Sequence, residues 1–194
     1  MNIGTKSVLF GVHQFVIHPV LVLYAWFIVH RHFPSLAELM AIITHDLGYL
    51  GMSNMDGPEG SGHPENAARF WRGRFGTFGD SVADLILGHS RFHAKANNLP
   101  LSKLFRPDKV ATALYPIWLY LLLANLSGEI KEYMSLRGSK KYPDHQPRAQ
   151  TQAQWFLEIQ GNMVLMGIQG DVNLALNDFF KKQEEPNFSE VKNG

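Results

Sequence analysis

The stretch Ala41-Ile-Ile-Thr-His-Asp-Leu-Gly-Tyr49 constrains this chain more than any other. An apolar run ends abruptly in adjacent His45 and Asp46, and Gly48 and a loop with five glycines between residues 47 and 62 follow at once. Leu36, Leu39, Met40, Ile42 and Ile43 recur at helical spacing behind a Pro34-Ser35 turn and N-cap, so a buried helix carries the pair to its own C-terminus. Adjacent helical residues point about 100° apart, and both reach one site only at the helix end. That geometry suits one imidazole and one bridging carboxylate. Taken alone, the pair reads first as a charged helix end with a glycine stop; the rest of the chain changes that reading.

With 194 residues, 45% of them hydrophobic, the chain has enough apolar material for the core of one domain, and no linker divides it. Its 18 basic and 17 acidic residues leave a formal charge of +1, which gives no field suited to a nucleic-acid polymer or an anionic membrane. An anionic substrate must therefore be held locally. There is no cysteine, so any metal is bound by nitrogen and oxygen, and the composition fits a reducing cytoplasm. The apolar run at 15–29 is interrupted by His18 and Pro19 and has no cleavage pattern behind it. A second run at 110–126 carries Thr112, Tyr115, Pro116 and Tyr120. Both are expected to be core helices and not membrane spans. Homo-oligomerisation is left open.

The patterning is helical throughout, with almost no strand-like alternation, so the expected class is all-α. Residues 7–32 make one helix or two joined near Pro19, with His18 at a helix start. A long loop over 47–62 leads to His63-Pro64-Glu65, which opens another helix. Asp80 or Ser81 caps a helix that runs past His89 into Arg91, His93 and Lys95. A long apolar helix is expected from about Pro107 to Ser135, kinked at Pro116, then a polar loop at 137–148, a helix over 151–166 and a frayed tail at 184–194.

Histidines and acids at helix ends or beside glycines form an ordered set: His18, His45, Asp46, His63, His89 and Asp108, spaced by 27, 1, 17, 26 and 19 residues. Six such ligands from five helical segments can hold two divalent ions with one aspartate between them. A metal pair of that kind lowers the pKa of a water and clamps a phosphoryl oxygen, as hydrolysis of a phosphate ester requires. At these residues the chain resembles the HD-domain superfamily of metal-dependent phosphohydrolases, over roughly residues 7–135, and His45-Asp46 is the motif that names it. The resemblance implies an HD-domain-like helical bundle with one or two divalent ions (Mn, Fe, Zn, Mg or Co) at its centre. It also implies ligation by His18, His45, Asp46, His63, His89 and Asp108; residues 136–183, beyond the resemblance, are expected as additional helices packed on the bundle. His13 competes with His18 for the early ligand position.

Many two-metal members carry lysine one residue after the glycine of the His-Asp motif, and here that position is Tyr49. A phenol donates to phosphate but brings no charge, so the cation is expected from Arg91, Lys95 or Lys109. Arg91 and Lys95 share a helix face at i and i+4 and serve as a phosphate clamp or simply as a solvated face. Lys109 follows a ligand and is expected to point away from it. Glu65 orients a ligand or a water, or only favours its helix dipole. Tyr49, Asn54, His13 and His93 are candidate substrate contacts, whereas Trp118, Tyr120 and Trp155 read as core. The expectation is a metal-dependent phosphohydrolase that cleaves a phosphate ester or anhydride of a small molecule, a nucleotide before a polymer, by means of a metal-activated water near Asp46. Two rivals stand beside it: an HD-type di-iron oxygenase with the same ligands, and a regulatory protein with a vestigial site.

Overall fold

The computed structural model describes residues 1–135 and 151–169, which form ten α-helices, two short 3-10 turns and no strand. The expected polar loop at 137–148 and the tail at 184–194 lie outside the described residues. Helix α1 (Ile3–Phe10) and helix α2 (Ile17–His30) stand where one or two helices joined at Pro19 were expected. Pro19 is not the join. It sits in the first turn of α2, where a missing N–H leaves no intrahelical bond broken, and the chain turns earlier, over residues 11–16.

Helix α3 (Leu36–Thr44) opens with a reciprocal cap: Glu38 N–H donates to Ser35 Oγ at 3.3 Å, and Ser35 N–H donates to Glu38 Oε2 at 2.7 Å. It stops one residue short of His45. The stretch His45–Tyr49 winds more tightly, as a 3-10 turn, so the His-Asp pair stands on that turn and not on the last turn of an α-helix. The loop that follows is tethered by Glu132, which accepts the N–H groups of Met55, Asp56 and Gly57 at 2.8–3.0 Å. A second 3-10 turn (Gly60–Gly62) then delivers the chain to α4 (His63–Trp71), with Pro64 in its first turn.

Helix α5 (Gly76–Leu87) starts before the expected cap at Asp80 or Ser81. It does not run on through His89. Residues 88–90 break it, and Ser90 Oγ accepts the His93 N–H to cap a separate short helix, α6 (Arg91–Ala96). The expected helix over 107–135 is three: α7 (Phe105–Leu114), α8 (Ile117–Ser127) and α9 (Glu129–Ser135). Pro116 does more than kink it. A proline disfavours the helical region for the residue before it, and Tyr115 is accordingly extended (φ −62°, ψ 129°), turning α8 by 103° from α7. Gly128 ends α8 at φ +87°, a conformation glycine adopts without penalty. No single helix among the described residues is long and apolar enough to cross a membrane.

Helix α10 (Gln152–Gln169) lies along α7. Gln160 Nε2 donates to the carbonyls of Ala113 and Tyr115, both at 2.9 Å, satisfying acceptors at the C-terminal end of α7. Arg106 Nε donates to Gly167 O at 2.6 Å, placing a cation at the negative end of α10. One apolar cluster joins α2, α3, α5 and α7 through Trp26, Ile42, Ile86 and Ala111; another joins α8 and α10 through Tyr120, Leu123, Trp155 and Phe156. Each such large side chain contributes about 1.5–3 kcal/mol on burial. Tyr120 and Trp155 are buried as expected of core residues, but Trp118 is 69% exposed on the outer face of α8.

Candidate metal centre

The first turn of α2, the 3-10 turn after α3, the start of α4, the break after α5 and the first turn of α7 converge on one buried cluster. His18, His45, Asp46, His63, His89 and Asp108 all have less than a tenth of their surface exposed. Asp46 sits at its middle. Its Oδ2 lies 3.2 Å from His18 Nε2 and 3.3 Å from His45 Nε2, and Asp108 Oδ1 closes that group at 3.2 and 3.6 Å from the same two nitrogens. Its Oδ1 faces the other way, 3.8 Å from both His63 Nε2 and His89 Nε2.

Hydrogen bonding fixes what these nitrogens present. His45, His63 and His89 each point Nδ1 at the carbonyl three residues earlier, of Ile42, Gly60 and Ile86. A carbonyl only accepts, so Nδ1 carries the proton in all three and a neutral ring leaves Nε2 as a lone pair. The His63 and His89 Nε2 atoms then face each other at 3.1 Å, lone pair to lone pair, an arrangement that needs a cation between them. A proton is not favoured there. Burial, together with repulsion from the neighbouring histidine, holds His63 well below its ordinary 6.5 and His89 down at about 4.

The other half of the cluster makes the same demand by a different route. Burial opposes charge on His45, but the carboxylates of Asp46 and Asp108 outweigh it and raise the ring to about 10. Burial likewise opposes charge on Asp46 and Asp108, yet the histidines hold Asp46, and Lys109 together with the histidines holds Asp108, well below the carboxylate range. Two anions here require a cation, either a proton on His45 Nε2 or a metal ion in its place. His45 Nε2 and Asp46 Oδ2 are buried without a hydrogen-bond partner, as atoms meant for a metal would be. Ligands on one ion with bonds near 2.1 Å stand about 2.9–3.4 Å apart; the spacings within each half match or slightly exceed that range. The buried His/Asp groups can therefore hold a metal ion, and the donors, all nitrogen and carboxylate oxygen, suit zinc, manganese or iron.

A cavity of about 170 Å³ opens onto the cluster. Asp46, His63, His89 and Asp108 form its floor, and His13, Tyr49, Arg91 and Lys109 stand around it. Tyr49 stacks on His63, ring centroids 3.8 Å apart, and so braces that ring. His13 does not displace His18 from the cluster; its ring lies 5.6 Å from the His18 ring and 5.3 Å from that of Tyr49. Lys109 does not point away. Its Nζ sits 2.7 Å from Asp108 Oδ2 and it lines the cavity.

Four residues expected around a substrate are placed elsewhere. Lys95 is exposed, one turn further along α6 than Arg91, and is not among the residues lining the cavity. Glu65 is exposed too, and its carboxylate reaches His93 at 3.6 Å, so these two pair with each other outside the cavity lining. The Asn54 amide oxygen accepts the Gly60 N–H at 2.8 Å and closes the loop on itself. Sequence reasoning also passed over Glu129. That fully buried carboxylate accepts from Ser7, Val12 N–H, Ser127 and Tyr133 and lies against His13. Its only signal in the sequence was an acid directly after a glycine, just past the end of an apolar run. Comparison with models of protein families, with curated proteins and with solved structures yields no match.

Proposed function

We propose that this protein is a metal-dependent phosphohydrolase of the HD-domain type, acting on a small phosphorylated molecule. The observation that carries the reading is the division of Asp46, whose two oxygens serve two separate sets of donors: His18, His45 and Asp108 on one side, His63 and His89 on the other. A single carboxylate so placed can bridge two ions, and an ion pair there would supply Lewis acidity to a phosphoryl oxygen and a water nucleophilic at neutral pH. The chain's own residues do the rest. Tyr49 packs on His63 and fixes its ring, Lys109 balances the charge of Asp108, and Arg91 at the cavity wall offers a planar fork to phosphate oxygens. The cavity takes a small molecule, which favours a nucleotide over a polymer.

The experiment is elemental analysis of the purified protein joined to a phosphate-release assay over a panel of nucleotides and other small phosphate esters. Two metal ions per chain and release from one class of ester support the reading. A loaded protein that releases phosphate from none of them overturns it. One observation favours a second reading: Tyr49 stands where a lysine would hold phosphate, and the same six donors suit a di-iron oxygenase. Iron at two ions per chain with a mixed-valent paramagnetic signal and substrate-dependent oxygen uptake would establish that alternative.

A further inference from the structure

The cavity has two unlike ends. Away from the histidines it is walled by Tyr120, Tyr133, Trp155, Ile159, Met163 and Met166, from α8, α9 and α10. Four of these six side chains come from α10, a helix outside the region that resembles the HD domain. Among the described residues, nothing at this end resembles a site for phosphate. Trp155 and Tyr133 lie nearly parallel, centroids 5.8 Å apart at 18°, and the methionine thioethers beside them are polarizable groups that favour aromatic contacts. In this apolar wall one polar atom is left over. The indole Nε1 of Trp155 is buried and has no acceptor. An unpaired buried N–H is costly, and a ligand that brings an acceptor to it removes the cost.

We infer that this end is a subsite for the organic body of the substrate, a flat aromatic ring system bearing a carbonyl or ring-nitrogen acceptor, with Trp155 as the residue that selects it. The inference rests on the phosphohydrolase reading for the other end of the ligand, where the phosphate meets the cluster. It adds a distinction that the cluster cannot make, because the metal ligands treat all phosphate esters alike. Aromatic monophosphates are bound in preference to compact aliphatic ones such as glycerol phosphate. The anchoring of α10 on α7 by Arg106 and Gln160 gives the wall a fixed distance from Asp108, which lies on α7. The subsite therefore also sets how far the ring stands from the phosphate.

The test is equilibrium binding to the metal-loaded full chain, measured by calorimetry with four probes: inorganic phosphate, glycerol phosphate, adenosine monophosphate and adenosine. Adenosine monophosphate is expected to bind at least tenfold more tightly than glycerol phosphate. Trp155→Phe keeps the ring and removes the donor; it should weaken adenosine monophosphate and adenosine by roughly three- to tenfold, the worth of one hydrogen bond, and leave inorganic phosphate unchanged. Met163→Asp, at a half-buried position, should act in the same direction if the tryptophan variant does not fold. Equal binding of the two esters, or an unchanged preference in folded variants at both positions, overturns the subsite. Loss of all phosphate binding, with adenosine still bound and still sensitive to Trp155→Phe, supports the subsite and overturns the phosphohydrolase reading.

Discussion

Glu129 Oε2 lies 3.3 Å from His13 Nδ1, and the two stand more than a hundred residues apart, His13 in the turn before α2 and Glu129 at the start of α9. The carboxylate has no solvent exposure and is held ionised against its burial by His13, the Val12 N–H and Ser127. His13 in turn is raised to about 9, since Asp46 and Glu129 outweigh its own burial. Removing the acid leaves several donors unsatisfied. Glu129→Ala should lower stability by about 3 kcal/mol in urea unfolding, and Glu129→Gln by less, because the amide oxygen still accepts from Val12 and Ser127. A variant as stable as the wild type would show that water replaces the carboxylate.

If Asp46 bridges two ions, Asp46→Ala should remove both while leaving the helical circular dichroism intact, since the side chain takes no part in the apolar clusters. His45→Ala should weaken chiefly the ion on the His18 and Asp108 side. Elemental analysis reads both. Full occupancy in the Asp46 variant would dismiss the bridge.

Arg91→Ala should lower kcat/KM by on the order of 10²-fold, about 3 kcal/mol, with metal content unchanged. Lys109→Ala should act in a different way: it removes the cation beside Asp108, so metal affinity should change together with rate. Lys95→Ala, at an exposed position outside the cavity lining, should change neither. Steady-state kinetics on the released product, paired with metal analysis, distinguishes the three.

A methyl group on Gly48 would overlap the carbonyl of His63. That carbonyl is backbone and cannot swing aside, so Gly48→Ala should cost roughly 1–3 kcal/mol by overpacking and move His63 off its ion. Reduced metal content at unchanged Asp46 and His45 is the expected readout. Wild-type stability and metal content together would show that the turn relaxes freely.

Glu38 offers a titration free of the cluster. Its burial opposes ionisation, but the Ser35 N–H and Lys103, whose Nζ is 3.1 Å away, hold it below its ordinary 4.5. A depressed carboxylate stabilises the fold above its unfolded value and loses that contribution as pH falls through the folded value. Glu38→Gln should therefore cost about 1 kcal/mol at pH 7, and the difference should vanish in acid once the carboxyl is protonated in the folded protein. Thermal unfolding at the two pH values checks it.

The six-residue cluster was legible because its members stand at helix starts, breaks and turns, where glycine and proline punctuate the chain. His89 shows the limit. Its position beside Gly88 was read as a helix turning polar, whereas the serine after it caps a new helix, and a lone serine is too common to announce that. The three-way division of residues 105–135 was hidden for a related reason: continuous hydrophobicity shows that a segment is buried but not in which direction it runs. Arg91 and Lys95 were paired by helical spacing, yet only Arg91 meets the cavity, because it opens α6 beside His89 and Ser90 whereas Lys95 stands one turn further along, and a shared face does not give a shared depth. Glu129 escaped notice because a buried acid betrays itself only through partners distant in sequence.

Helix α9 is seven residues long and grips both rims of the cavity, one through Glu129 behind His13 and Val12, the other through Glu132 inside the loop at 55–57. The two carboxylates stand three positions apart, so they share a face, and a one-residue insertion between them would rotate one grip by about 100° relative to the other. Both rims would then be displaced by a single indel that touches no metal ligand. Indel tolerance along this chain should accordingly reach a minimum at a short helix that contributes no donor to the centre.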